Sequence, residues 1–219
     1  MKQLISTILL IISFVSNGQE ILWDSTFIVD KQKFNVTSFW TKSGSYAKII
    51  KTGIDTITVN DVTGNIEILN FNNDGFADII LSYLGNNYTA DLYLYDKKSK
   101  SYRKVEGFMD VSEAKRLDTN PNYYYSYRRG GCADMNWLSY LFFIDNSRVY
   151  QIGEIYGIGC DSEESDRLIK VSKISSNDDI NTIENISIDR IDDYPNYKWG
   201  FIKDYWNRNY MKFKYDNAP

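Results

Sequence analysis

The sequence predicts a mainly β protein: an antiparallel meander, or a small propeller-like or barrel arrangement, with a C-terminal helix. Three observations predict it. Threonine, valine, isoleucine and tyrosine recur in short runs, and these residues fit a pleated, half-buried surface. Gly, Asn, Asp and Ser divide the runs at regular intervals, which is the punctuation of many short strands. Only near the C-terminus do apolar residues recur at three- and four-residue steps, the period of a helix face.

The first eighteen residues read as a separate segment. Lys2 gives a positive start, Leu4 to Val15 is almost wholly apolar, and Ser16-Asn17-Gly18 offers small residues for cleavage. That is the pattern of a secretory signal peptide, too short for a spanning helix; a buried N-terminal helix is the alternative. Residues 19–219 then form a single β-rich domain, large enough to bury a substantial core. No cysteine lies near the cut, so no lipid anchor is expected, and no later stretch is apolar for long enough to cross a bilayer. The expectation is a soluble, exported monomer, in the periplasm or outside the cell.

Predicted strands run over Leu22–Val29, Phe34–Thr41, Tyr46–Lys51, Thr56–Asn60, Ile66–Leu69, Asp78–Tyr83, Asp91–Tyr95 and Tyr102–Val105. A second set covers Tyr123–Arg128, Leu138–Ile144, Val149–Tyr156 and Leu168–Ile174. Asp145-Asn146-Ser147 suits a hairpin turn, because Asn and Asp tolerate left-handed backbone angles. Val111–Leu117 fits a short helix or another strand. Ser175–Asp193 is polar enough to include a loop. Trp199, Ile202, Trp206, Tyr210 and Phe213 share one face of a helix over about Tyr197–Phe213, with Pro195 just before its start. That helix is expected to cover an open sheet face.

Composition excludes several functions. The chain has no histidine, so Ser-His and Cys-His nucleophile systems and histidine-ligated zinc are out. Its 25 Lys and Arg stand against 29 Asp and Glu, and a nucleic-acid partner needs a basic face. Gly130-Gly131 lacks the residues of a phosphate loop, and no spacing singles out a glycosidase pair among the acids. No catalytic residue is expected. The acids Asp161, Glu163, Glu164 and Asp166 read as a solvated loop rather than a binding patch. In an exported chain Cys132 and Cys160, each beside glycine, are expected to form a disulfide at strand ends or in loops. Tyr123-Tyr124-Tyr125-Ser126-Tyr127 and the Trp199/Trp206 pair could offer stacking faces to a sugar, although strand alternation also sends such side chains inward. Arg128 and Arg129 beside them could meet an acidic partner.

The sharpest chemical feature is Asn70-Phe71-Asn72-Asn73-Asp74-Gly75-Phe76-Ala77-Asp78. Oxygen-bearing side chains fall at loop positions one, three, five and nine, with glycine at six, a spacing that wraps a hard cation such as Ca²⁺. The expected ligands are Asn70, Asn72, Asp74, Asp78 and the carbonyl of Phe76. Asn70 stands where a carboxylate is usual, so binding is expected to be weak. The alternative is an ion-free turn closed by side chain-to-backbone hydrogen bonds.

This loop with its following strand resembles the repeat unit of FG-GAP/VCBS-type proteins, whose loops hold Ca²⁺ between blade strands. Leu92-Tyr93-Leu94-Tyr95-Asp96, Tyr102, Gly130-Gly131, Trp137 with Tyr140, and Phe143–Glu154 follow in an order similar to a family of exported bacterial proteins with a propeller-like β fold. Some members are periplasmic immunity proteins that block a lysozyme-like toxin. The resemblance implies a non-catalytic binding protein with a structural Ca²⁺ loop, its partner a secreted lysozyme-like hydrolase. The other readings are an envelope or cell-surface module that binds glycan and, third, a glycan-acting enzyme.

Overall fold

The structure is a computed structural model that describes residues 19–52, 56–161 and 167–214; the predicted leader and the acids Glu163, Glu164 and Asp166 lie outside the described residues. Strands pair antiparallel and build three sheets in succession. The first holds β1 (Glu20–Val29), β2 (Gln32–Thr41), β3 (Gly44–Lys51) and β4 (Thr56–Asn60), in that order. The second holds β5 (Ile66–Leu69), β6 (Asp78–Tyr83), β7 (Thr89–Asp96) and β8 (Ser101–Lys104). Six strands of the third are β9 (Lys115–Arg116), β10 (Tyr123–Tyr125), β12 (Asn136–Asp145), β13 (Arg148–Ile158), β14 (Leu168–Ile174) and β15 (Ile180–Ser187), and β11 (Arg128–Gly131) also pairs with β12. The chain is therefore the expected antiparallel meander, and no closed barrel forms among the described residues.

Burial explains how the sheets stack. In β6, Ile79 and Leu81 join Val36, Ala47 and Ile49 of the first sheet in one core. Ile80 between them joins Tyr124 and Phe142 of the third sheet in another. A strand covered on both faces reads as an unbroken apolar run, which is why Asp78-Ile79-Ile80-Leu81 shows no alternation. The other face of the third sheet carries Tyr123, Leu141, Ile155 and Val171 and packs under α1 (Lys198–Asn209). The helix sends Phe201, Ile202, Tyr205 and Trp206 into this third core, and a 3₁₀ turn at Tyr210–Phe213 adds Phe213. The order of layers is thus first sheet, second sheet, third sheet, helix.

Local chemistry accounts for the departures from the expected elements. Tyr123–Arg128 is two strands rather than one, because the Ser126 hydroxyl accepts the Tyr140 N–H at 3.2 Å and bends the chain between β10 and β11. The polar stretch Ser175–Asp193 contains β15, an edge strand with most side chains exposed. Val111–Leu117 resolves into the end of a 3₁₀ turn, Phe108–Val111, and the two-residue β9. Asn146 and Ser147 adopt φ of 48° and 59°, the left-handed pair of a type I′ hairpin between β12 and β13. Gly157 of β13 lies under the Trp137 ring, where an added Cβ would approach to 2.1 Å.

Candidate functional site

The Asn70–Asp78 loop joins β5 to β6, and its two phenylalanines face different cores. Phe71 stacks on Tyr124 with centroids 5.0 Å apart, at the second–third sheet interface. Phe76 packs 5.3 Å from Tyr95, at the first–second sheet interface. Between them the chain curls through left-handed Asn73 and Gly75. The Asn72 side-chain oxygen accepts from Asp74 N at 3.1 Å, and an Asp74 carboxylate oxygen accepts from Phe76 N at 2.9 Å. Asn72 also donates its amide to the other Asp74 oxygen at 2.9 Å.

Asp78 is fully buried at the root of this loop. Its two carboxylate oxygens accept from Phe71 N at 2.9 Å and Tyr95 N at 3.0 Å, tying the loop to β7. Burial pushes its pKa up to about 6, against the pull of those donors. The donor set, two carboxylates with amide and carbonyl oxygens, is the hard-oxygen kind that Ca²⁺ takes, and each carboxylate oxygen keeps a second lone pair. The charge is low: among the described residues no three acidic, cysteine or histidine side chains gather around one point. Asn70 is exposed.

A second constellation lies in the third sheet, where β11 and β12 meet the end of β13. Cys132 and Cys160 form the expected disulfide, joining the 3₁₀ turn Cys132–Asp134 to the chain just past β13. The Asn136 side-chain oxygen accepts from both Gly159 N and Cys160 N at 3.0 Å, fixing the same junction. Within the turn Cys132, Ala133 and Asp134 all have positive φ, at 53°, 52° and 71°. Left-handed backbone at residues other than glycine costs roughly 1–3 kcal/mol each and persists only where surroundings enforce it.

Those surroundings centre on Lys198, the first residue of α1 and only 5% exposed. Its ammonium donates to the Asp134 carboxylate at 2.7 Å and to the Asp134 carbonyl at 2.8 Å. It also lies 4.6 Å from the Trp199 ring centroid and 5.2 Å from that of Tyr127, a favourable place for a cation. The Tyr127 hydroxyl donates to the other Asp134 oxygen. Burial alone would raise the Asp134 carboxyl, but the hydrogen bonds from Lys198 and Tyr127 hold it below its ordinary value. The Tyr127 hydroxyl is pushed up by burial and by Asp134. The turn is held on three sides, yet Ala133 and Met135 face solvent.

Most of the aromatic stacking faces expected from the sequence are core. Tyr123, Tyr124, Tyr125 and Trp206 are all buried, and the Trp206 indole N–H donates to Ser139 at 2.8 Å. Trp199 differs: it keeps 37% of its surface exposed, and its ring lies tilted, 4.7 Å from that of buried Tyr127. Sequence reasoning missed the Lys198–Asp134 pair, whose partners are 64 residues apart. One signal was present: Lys198 precedes Ile202 and Trp206 at four-residue steps, a cation on the apolar face of the helix.

No helix among the described residues is long and apolar enough to cross a membrane. No protein-family model matches this chain, and no curated protein matches it. Among solved structures it is similar to a chain described as "Structure of a Xanthomonas Type IV Secretion System related protein", with 13% identity and a TM-score of 0.49. The alignment covers 78% of this chain and 95% of that one.

Proposed function

We propose that this chain is an exported, non-catalytic binding protein that presents the turn Gly131–Met135 to a protein partner, a secreted hydrolase of the lysozyme type. The observation that carries this reading is the bracing of an exposed turn. Three left-handed non-glycine residues are held by a disulfide, the β11–β12 pairing and the Lys198–Asp134 bridge, while Ala133 and Met135 point outward. A segment already fixed in its bound shape loses little conformational entropy on docking, and that is what lets a short loop fill an enzyme cleft tightly.

In this reading the Asn70–Asp78 loop carries weakly bound Ca²⁺ as a structural ion. Asn70, Asn72, Asp74, Asp78 and the Phe76 carbonyl are its ligands, and the ion reinforces a loop that touches both inter-sheet cores. The test is inhibition of a panel of purified lysozyme-type hydrolases by the oxidised chain. One of them should be inhibited, and Ala133→Arg and Met135→Arg should relieve the inhibition without lowering the melting temperature. Inhibition that survives both changes would remove the turn from the interface, and no inhibition of any enzyme would remove the reading.

A further inference from the structure

A recess that shares Trp199 with the surroundings of the exposed turn lies where the Tyr127 and Trp199 rings meet the end of β9. Its cavity of about 140 Å³ is walled by Tyr125, Tyr127 and Trp199 and rimmed by Glu113, Lys115 and Asn196. A shallower recess of about 300 Å³ continues from it across Glu113 and Tyr127 to Tyr88 and Arg129. The inner volume falls below the roughly 300–1,000 Å³ of pockets that take drug-sized molecules. It suits one six-membered ring, with the outer recess left for what is attached to that ring.

The chemistry of the walls narrows the ligand. An aromatic face packs against the C–H face of a pyranose, while amide, carboxylate and cationic side chains at the edge meet its hydroxyls. Both kinds of group are present here. Charge narrows it further. Burial raises the Glu113 carboxyl, Lys115 and Arg129 pull it down, and Asp134, itself paired with Lys198, raises it slightly, which puts these groups in one electrostatic neighbourhood. Neither Lys115 nor Arg129 has an ion-pair partner among the described residues, whereas nearby Lys203 and Arg128 are paired with Asp118 and Asp110. Two unpaired cations against one carboxylate leave a single positive charge in excess, on a chain whose net charge is −4.

We propose that this recess binds one sugar ring bearing a carboxylate, packed on the exposed ring of Trp199, with its acid between Lys115 at the rim of the inner recess and Arg129 in the outer one. The carboxylate can belong to a uronic acid or to the lactyl ether of muramic acid; both present one anion beside a pyranose. Binding of the sugar is independent of whether the exposed turn meets a hydrolase.

The experiment titrates the oxidised chain with three disaccharides, reading heat and tryptophan fluorescence. One ends in glucuronic acid, one is its neutral glucose counterpart, and one joins N-acetylglucosamine to N-acetylmuramic acid. At least one acidic sugar should bind about tenfold or more tighter than the neutral one, the value of one charged hydrogen bond. The acidic sugar that binds identifies the source of the carboxylate. Arg129→Gln should erase the preference for the acid, and Trp199→Ala should abolish binding of every sugar in a chain that still melts cooperatively. Equal affinity for acidic and neutral sugars, binding that survives Trp199→Ala, or no binding of any sugar at millimolar concentration each overturns the proposal. If Trp199→Ala misfolds, Arg129→Gln decides, because Arg129 is exposed in β11.

Discussion

Replacing Lys198 by methionine should unlock the disulfide turn, and its cost can be worked from the structure. Methionine keeps the length of the side chain and its contact with the Trp199 and Tyr127 rings, so the change isolates the charge. Two hydrogen bonds to Asp134 are lost, at 2.7 and 2.8 Å. Breaking a fully buried pair by removing one partner costs roughly 3–5 kcal/mol. Here the Lys198 side chain is 6% exposed but that of Asp134 is 25% exposed, so the abandoned carboxylate recovers part of its hydration. The expected loss is therefore about 3 kcal/mol, the low end of that range. In a chain of this size it lowers the melting temperature by about 6–12 °C.

Urea unfolding of the oxidised protein, followed by tryptophan fluorescence, measures the loss directly, and the denaturant slope should not change. Acid supplies an internal control. The Asp134 carboxyl is held below its ordinary value of 3.8. Its contribution is therefore present above that pH and disappears as the pH falls through the lowered value. The gap between wild type and variant should be constant near neutrality and narrow in acid. A loss under about 1 kcal/mol, the worth of a surface ion pair, would refute the reasoning, and so would a gap that ignores pH.

Calcium at ten times its dissociation constant should stabilise the wild type by about 1.4 kcal/mol, and Asp74→Ala should show no such gain. Identical wild-type melting midpoints in calcium and in chelator would count against the loop as an ion site. Gly157→Ala drives a Cβ into the fully buried Trp137 ring. It should cost about 3 kcal/mol, the upper end for overpacking, and alter the near-ultraviolet circular dichroism; an unperturbed melt would refute that contact. The double change Cys132→Ser and Cys160→Ser opens a link between residues 28 apart. It should cost roughly 3–4 kcal/mol on the chain-entropy account, with denaturant unfolding as the measurement.

How much was legible in the sequence varied with what each residue packs against. Thr56–Asn60, Ile66–Leu69, Asp78–Tyr83 and Leu168–Ile174 have the boundaries expected of them; in the first, second and fourth the apolar run ends abruptly at Asn or Ser. β15 was hidden: an edge strand with only Ile186 packed on a core has no apolar alternation to betray it. The tyrosine run misled in another way. Alternation does send Tyr123 and Tyr124 to opposite faces, but both faces are covered, one by α1 and one by the second sheet. In the Asn70–Asp78 loop the oxygen spacing was legible, whereas the burial of Asp78 between Phe71 N and Tyr95 N was not. The Lys198–Asp134 lock and the Trp199 recess depend on residues far apart in sequence, and their pairing has no spacing to read.

Because each sheet is made from consecutive strands, the layers can form in the order in which the chain is synthesised. Among the described residues no strand has to wait for a partner from the far end of the polypeptide, a topology that keeps the cost of loop closure small. The exception is the last layer. A chain interrupted before residue 198 would hold all three sheets and still leave bare the face on which Phe201, Trp206 and Phe213 pack. That unfinished form would be greasy on one side and missing the partner of Asp134. The helix thus closes the core and fastens the exposed turn together, because Phe201, Trp206 and Lys198 sit on the same element.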